Sequence, residues 1–131
     1  MNTKLLMSCS ALVMGACAVF LSFLPGEILN YLGASGPVSQ LALQLLGAVY
    51  FGFAMLNWMA KGNLIGGIYS KPVSIGNLAH FTIAGITLIR IARDTPEAPL
   101  IWVPAVVCAV FALLFARVSF RHPGETGAAA V

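Results

Sequence analysis

The chain has 131 residues, of which 60% are hydrophobic and 8% charged, with seven Lys or Arg against four Asp or Glu for a net charge of +3. A soluble domain carries about 25% charged residues over its surface, so this chain has too few for a water-facing shell, and its length excludes a second sizeable domain. The basic residues fall singly, at Lys4, Lys61, Lys71, Arg90, Arg93, Arg117 and Arg121, and form no basic face for a nucleic acid.

A helix needs about 20 apolar residues to cross a hydrocarbon core of about 30 Å. The first run of that kind covers residues 5–24 and halts at Pro25-Gly26. It carries small residues at Ser8, Ala11, Gly15, Ala18 and Ser22, spaced alternately by three and four. In lipid, helices associate through close packing of such residues, so this seam is expected to meet another helix of the same chain, with a dimer face as the alternative. Lys4 followed by an apolar run also fits a signal peptide, and the stretch ending at Cys17 is similar to a lipoprotein cleavage site. Because the run continues past Cys17 to Leu24, a retained first helix is expected.

The first loop holds Ile28, Leu29, Tyr31 and Leu32 among glycines, which predicts a short segment lying at the membrane interface. The second run covers residues 38–60, opened by Gly36-Pro37 and closed by Lys61-Gly62. The loop from Lys61 to Pro72 is rich in glycine and carries apolar residues that are expected to dip toward the headgroups. The third run covers residues 73–91. The fourth covers residues 100–120, and Thr95-Pro96-Glu97 before it reads as a helix start, with Pro104 expected to kink the helix.

Hydrocarbon offers backbone groups no water, so spans must be helices or closed barrels. These runs are continuously apolar rather than alternating, which predicts an all-α integral membrane four-helix bundle in a single domain over residues 1–131. The positive-inside rule places both termini in the cytoplasm. Five basic residues (Lys4, Lys61, Lys71, Arg117, Arg121) then lie inside, against Arg90 and Arg93 outside. Trp58 and Trp102 fall near span ends, where they suit interfacial anchoring.

The second span carries Gln40, Gln44, Gly47, Tyr50, Ala54 and Asn57 within an arc of about 140°, and the third carries Asn77, His80, Ala84 and Thr87 within about 80°. Opposed to each other, these faces give an inner polar layer of Asn57, Asn77 and His80 and an outer one of Gln40, Gln44 and Thr87. Such layers serve either as interhelical hydrogen bonds or as a polar cavity in which His80 can change charge near neutral pH. His80 is also the candidate cofactor ligand, for haem or a quinone. A bis-His haem site would need a second histidine, and His122 lies beyond the last span. No metal site and no catalytic constellation is expected. Cys9, Cys17 and Cys108 lie in apolar runs without CxxC spacing and read as small hydrophobes.

The four-span layout, the length and the Pro25-Gly26 break after the first span resemble the DoxX-like group of small bacterial membrane proteins. The resemblance covers the whole chain, rests on architecture, and carries over no catalytic residue. It implies a bacterial cytoplasmic membrane and, from some members, a place in quinone-linked or redox complexes. The leading expectation is a non-enzymatic accessory or stabilising subunit of a larger membrane complex, in contact with lipids and other membrane subunits. A small transporter or channel using the polar layers, and a haem- or quinone-associated redox protein, are the alternatives.

Overall fold

The computed structural model describes residues 3–62 and 71–120, and every regular element among them is helical. In chain order they are α1 (Thr3–Phe23), α2 (Pro25–Tyr31), α3 (Pro37–Ala60), α4 (Lys71–Asp94), a 3-10 turn (Pro99–Ile101) and α5 (Trp102–Ser119). Four stretches are long and apolar enough to cross a membrane: α1, α3, α4, and the 3-10 turn continued into α5. At 1.5 Å per residue, the 24 residues of α3 extend about 36 Å. The chain divides into two compact units, one built from α1 to α3 and the other from α4 to α5.

In the first unit, α1 stops at Phe23 because Leu24 precedes a proline, a position where helical backbone is disfavoured; it takes φ −124° and ψ 39°. Pro25 then opens α2, where its missing N–H removes no helical bond. The segment after the first span forms this seven-residue helix, with Pro25 and Leu29 buried. It ends on Gly33 at φ 67°. The Ala34 N–H bonds to the Leu29 carbonyl at 2.9 Å and the Gly33 N–H to Asn30 at 3.2 Å. This pattern needs a left-handed residue, which glycine adopts without a Cβ clash. Pro37 starts α3, which returns antiparallel along α1.

The α1–α3 contact is a meeting of small residues. A Cβ on Gly15 would lie 3.9 Å from Ala54, and one on Gly47 would collide with Ser22 Oγ and approach the Ala18 carbonyl and Ser22 nitrogen to 3.1 Å. Ala11 and Ala18 are buried, while Ser8 bonds back to the Lys4 carbonyl at 2.9 Å.

In the second unit, α4 begins at Lys71 and ends at Asp94, longer at both ends than the apolar run. The Thr95-Pro96-Glu97 triplet does not start the fourth helix. It forms a turn in which the Ala98 N–H bonds to the Thr95 carbonyl at 3.1 Å. Proline suits the second position of such a turn as well as it suits a helix start. Helical structure resumes only at Pro99, as a 3-10 turn before α5. Pro104 therefore falls in the first turn of α5, where α-helical N–H groups have no acceptor to lose. Ala92, Ala98 and Ile101, with Leu88 against them, seal the turn. Gly85 lets α5 approach, since a Cβ there would sit 3.5 Å from Ala109 N and from Cys108 Cβ. Phe81 stacks on Phe111 and Phe115, with ring centroids 4.9 and 5.8 Å apart.

Candidate functional site

Among the described residues, the fully buried polar ones are Ser10 and Asn57 in the first unit and Ser74 and Asn77 in the second. In each unit they lie toward the open end of the helical hairpin, away from its connecting turn. In the first, Asn57 Nδ2 donates to Ser10 Oγ at 3.1 Å, and Ser10 Oγ donates to the Met7 carbonyl at 3.0 Å. The same amide nitrogen lies 3.6 Å from Met14 Sδ, so both of its hydrogens have acceptors. In the second, Ser119 Oγ donates to Ser74 Oγ at 3.1 Å, and Ser74 Oγ donates to the Lys71 carbonyl at 3.1 Å.

The two arrangements are the same device. A polar side chain on the returning helix donates to a serine on the outgoing helix. That serine in turn donates to its own backbone carbonyl three residues earlier. A serine hydroxyl is one donor and two acceptors, so it can serve both bonds. Buried polar groups are costly unless bonded, and each relay satisfies its groups while tying two helices together. Sequence reasoning missed Ser10, Ser74 and Ser119. The available signal was phase: Ser10 falls on the face of α1 that also presents Ala11, Met14 and Ala18.

The residues singled out by sequence are placed as follows. Asn57 reaches α1 through Ser10. Asn77 Nδ2 donates to the Val73 carbonyl of its own helix at 2.8 Å. His80 is half-buried, its ring edge-on to Phe81 at 5.3 Å and 77°. Its Nε2 is shielded from solvent, and the residue takes part in further interactions. His122 lies outside the described residues.

Gln40, Gln44 and Thr87 are exposed, the first two in the unit of α1 to α3 and Thr87 in the unit of α4 and α5. On α4 the buried stripe runs through Ser74, Asn77, Phe81, Gly85 and Ala92. Thr87 projects about 130° from the centre of that stripe. On α3 the buried positions are Gly47, Ala54, Asn57 and Ala60, and Gln44 projects about 115° from the centre of that face.

Among the described residues no group of His, Cys, Asp or Glu has the arrangement of a metal site. No disulfide joins the cysteines: Cys9 is exposed, Cys17 half-buried and Cys108 buried. At the end of α3, Lys61 Nζ lies 2.9 Å from the centroid of the Trp58 ring, a cation–π pair. No family model matches the chain, and no curated protein or solved structure matches it.

Proposed function

We propose that the chain is a non-enzymatic, membrane-embedded accessory subunit that stabilises a larger membrane assembly. The observation that carries this reading is the pair of serine relays. Asn57 with Ser10, and Ser119 with Ser74, hold helix to helix, as in a scaffold. The resemblance to DoxX-like membrane proteins, some of which are placed in redox complexes, points the same way.

The orientation that goes with this reading has both termini in the cytoplasm of a bacterial cell, with the protein in the inner membrane. It puts Lys4, Lys61, Lys71, Arg117 and Arg121 on the side favoured for basic residues, and the Lys61–Trp58 pair at the headgroup level. The test is affinity purification of the tagged chain from native membranes in mild detergent, followed by mass spectrometry. A reproducible membrane partner at fixed stoichiometry is expected. Recovery of the chain alone, as monomer or homo-oligomer, overturns the reading.

A further inference from the structure

Two lysines and a tryptophan gather at the open end of the first hairpin. The Asn57–Ser10 bond fixes the register of the antiparallel α1 and α3. Lys61 lies four residues beyond Asn57 and Lys4 six residues before Ser10, about 6 and 9 Å further toward that end, so the two stand at nearly one depth. Phase brings them to one side. At 100° per residue, Lys4 projects about 75° from the centre of the buried face of α1, and Trp58 about 75° from that of α3. Both lie on the flank where Ser22 meets Gly47. Lys61 projects within about 15° of the α3 face centre, over the seam between the helices. It is half-buried there, with Nζ against the Trp58 ring. An ammonium has three donors, and a ring face engages it from one side only.

No carboxylate among the described residues answers this charge. Glu27 lies in α2, at the other end of the hairpin. In a chain that crosses the bilayer four times, Lys61 and Lys71 lie on the same side. The open end of the second hairpin adds Lys71 and Arg117, while Asp94 and Glu97 lie at its connecting turn. The described counter-charge is therefore missing wherever the second unit stands. Glu125 lies outside the described residues.

We propose that this end of the first hairpin binds the headgroup of an anionic phospholipid, held by Lys4 and Lys61 beside the Trp58 ring. The chemistry selects the occupant. A tryptophan at a span end sits at headgroup level, where lipid phosphates lie and where a lysine gains from anionic lipid. The phosphate of a zwitterionic headgroup carries its own ammonium, whereas that of phosphatidylglycerol has none and needs an outside cation. This inference goes beyond the accessory role and does not depend on it, because it concerns the purified chain and lipid alone.

The test is electron spin resonance of the chain in phosphatidylcholine vesicles holding spin-labelled phosphatidylglycerol or spin-labelled phosphatidylcholine. The wild-type chain is expected to restrict the motion of the anionic lipid in preference. Lys4→Gln and Lys61→Gln should each lower that preference about fivefold, and Lys61→Arg should keep it. Trp58→Leu alters no charge and is expected to lower it about two- to fivefold, with helicity by circular dichroism unchanged. Equal restriction of the two lipids by the wild-type chain overturns the proposal, with no variant needed. A preference that survives Trp58→Leu in full also overturns it, by reducing the effect to diffuse surface charge. Excess inorganic phosphate is expected to leave the labelled lipid in place; displacement would make free phosphate the ligand. A several-fold rise in Glu125→Gln would make that carboxylate the occupant, and either result overturns the proposal. A lipid preference without a co-purifying subunit sinks the accessory role alone, and a co-purifying subunit without the preference sinks this site alone.

Discussion

Asn57 donates its side-chain amide to the hydroxyl of Ser10 at 3.1 Å, across 47 residues of sequence and with both groups fully buried. In lipid such a bond between helices contributes about 0.6 kcal/mol on average and up to about 1.7. A double-mutant cycle of Ser10→Ala and Asn57→Ala is expected to show coupling in that range, read from reversible unfolding in mixed micelles. Strict additivity of the two substitutions would show that the relay does not hold α3 to α1.

Gly47 and Gly52 sit in one helix with opposite surroundings. Gly47→Ala pushes a methyl group into Ser22 and the α1 backbone, and crowding of this kind costs about 1–3 kcal/mol. Gly52→Ala enters open space and, by adding helix propensity, is neutral or stabilising. Thermal melts of the two variants in detergent should separate them, with only Gly47→Ala lowered. Equal melting points would refute the close approach at Gly47.

Phe81 packs on both Phe111 and Phe115, with both ring pairs nearly parallel. Each such pair contributes about 0.5–1.5 kcal/mol beyond area burial. Phe81→Ala should therefore destabilise the second hairpin by at least about 1–3 kcal/mol, while Phe81→Leu recovers part of the loss. Hydrogen exchange over α4 and α5 reports this locally, and protection unchanged in Phe81→Ala would be evidence against the stack as a stabilising element.

Trp58 and Lys61 form a pair one turn apart at the end of α3. With Trp102 replaced by Phe, the emission of Trp58 is expected to be quenched more by lipids brominated near the headgroup than by lipids brominated near the chain ends. Stronger quenching from the bilayer centre would remove Trp58 from the interface. Lys61→Gln should leave the depth profile in place and shift the emission maximum, because the charge over the ring is gone.

The spans were legible in the sequence because an unbroken apolar run about as long as the bilayer is thick fits little else than a helix crossing it. Their ends were less so. Hydropathy reports burial in hydrocarbon, whereas Lys71 and Asp94 are helical at ends where the run has become polar. The Thr95–Glu97 triplet was misleading because a proline there satisfies two local geometries, and only the Ala98 hydrogen bond decides between them. Gln44 and Thr87 were placed in an outer polar layer from angular phase alone. Phase says which residues share a side, but not which side a neighbour covers; on α4 that was decided by Phe81 and Gly85 packing on α5. The serine relays were invisible for a related reason. A serine in an apolar run gives no sign of which residue, 45 or 47 positions away, it will meet.

The two connecting segments also differ in what must cross the bilayer. In the orientation proposed here, both turns pass through the hydrocarbon during insertion. The connection from Phe23 to Pro37 carries one charge, at Glu27, whereas the region around the second turn carries Arg90, Arg93, Asp94 and Glu97. Those four sum to zero net charge, yet each charged group resists dehydration separately. Biogenesis is therefore expected to be uneven along the chain. The first hairpin can partition into lipid as a nearly apolar unit, while the second depends on cellular machinery to carry its charged turn across.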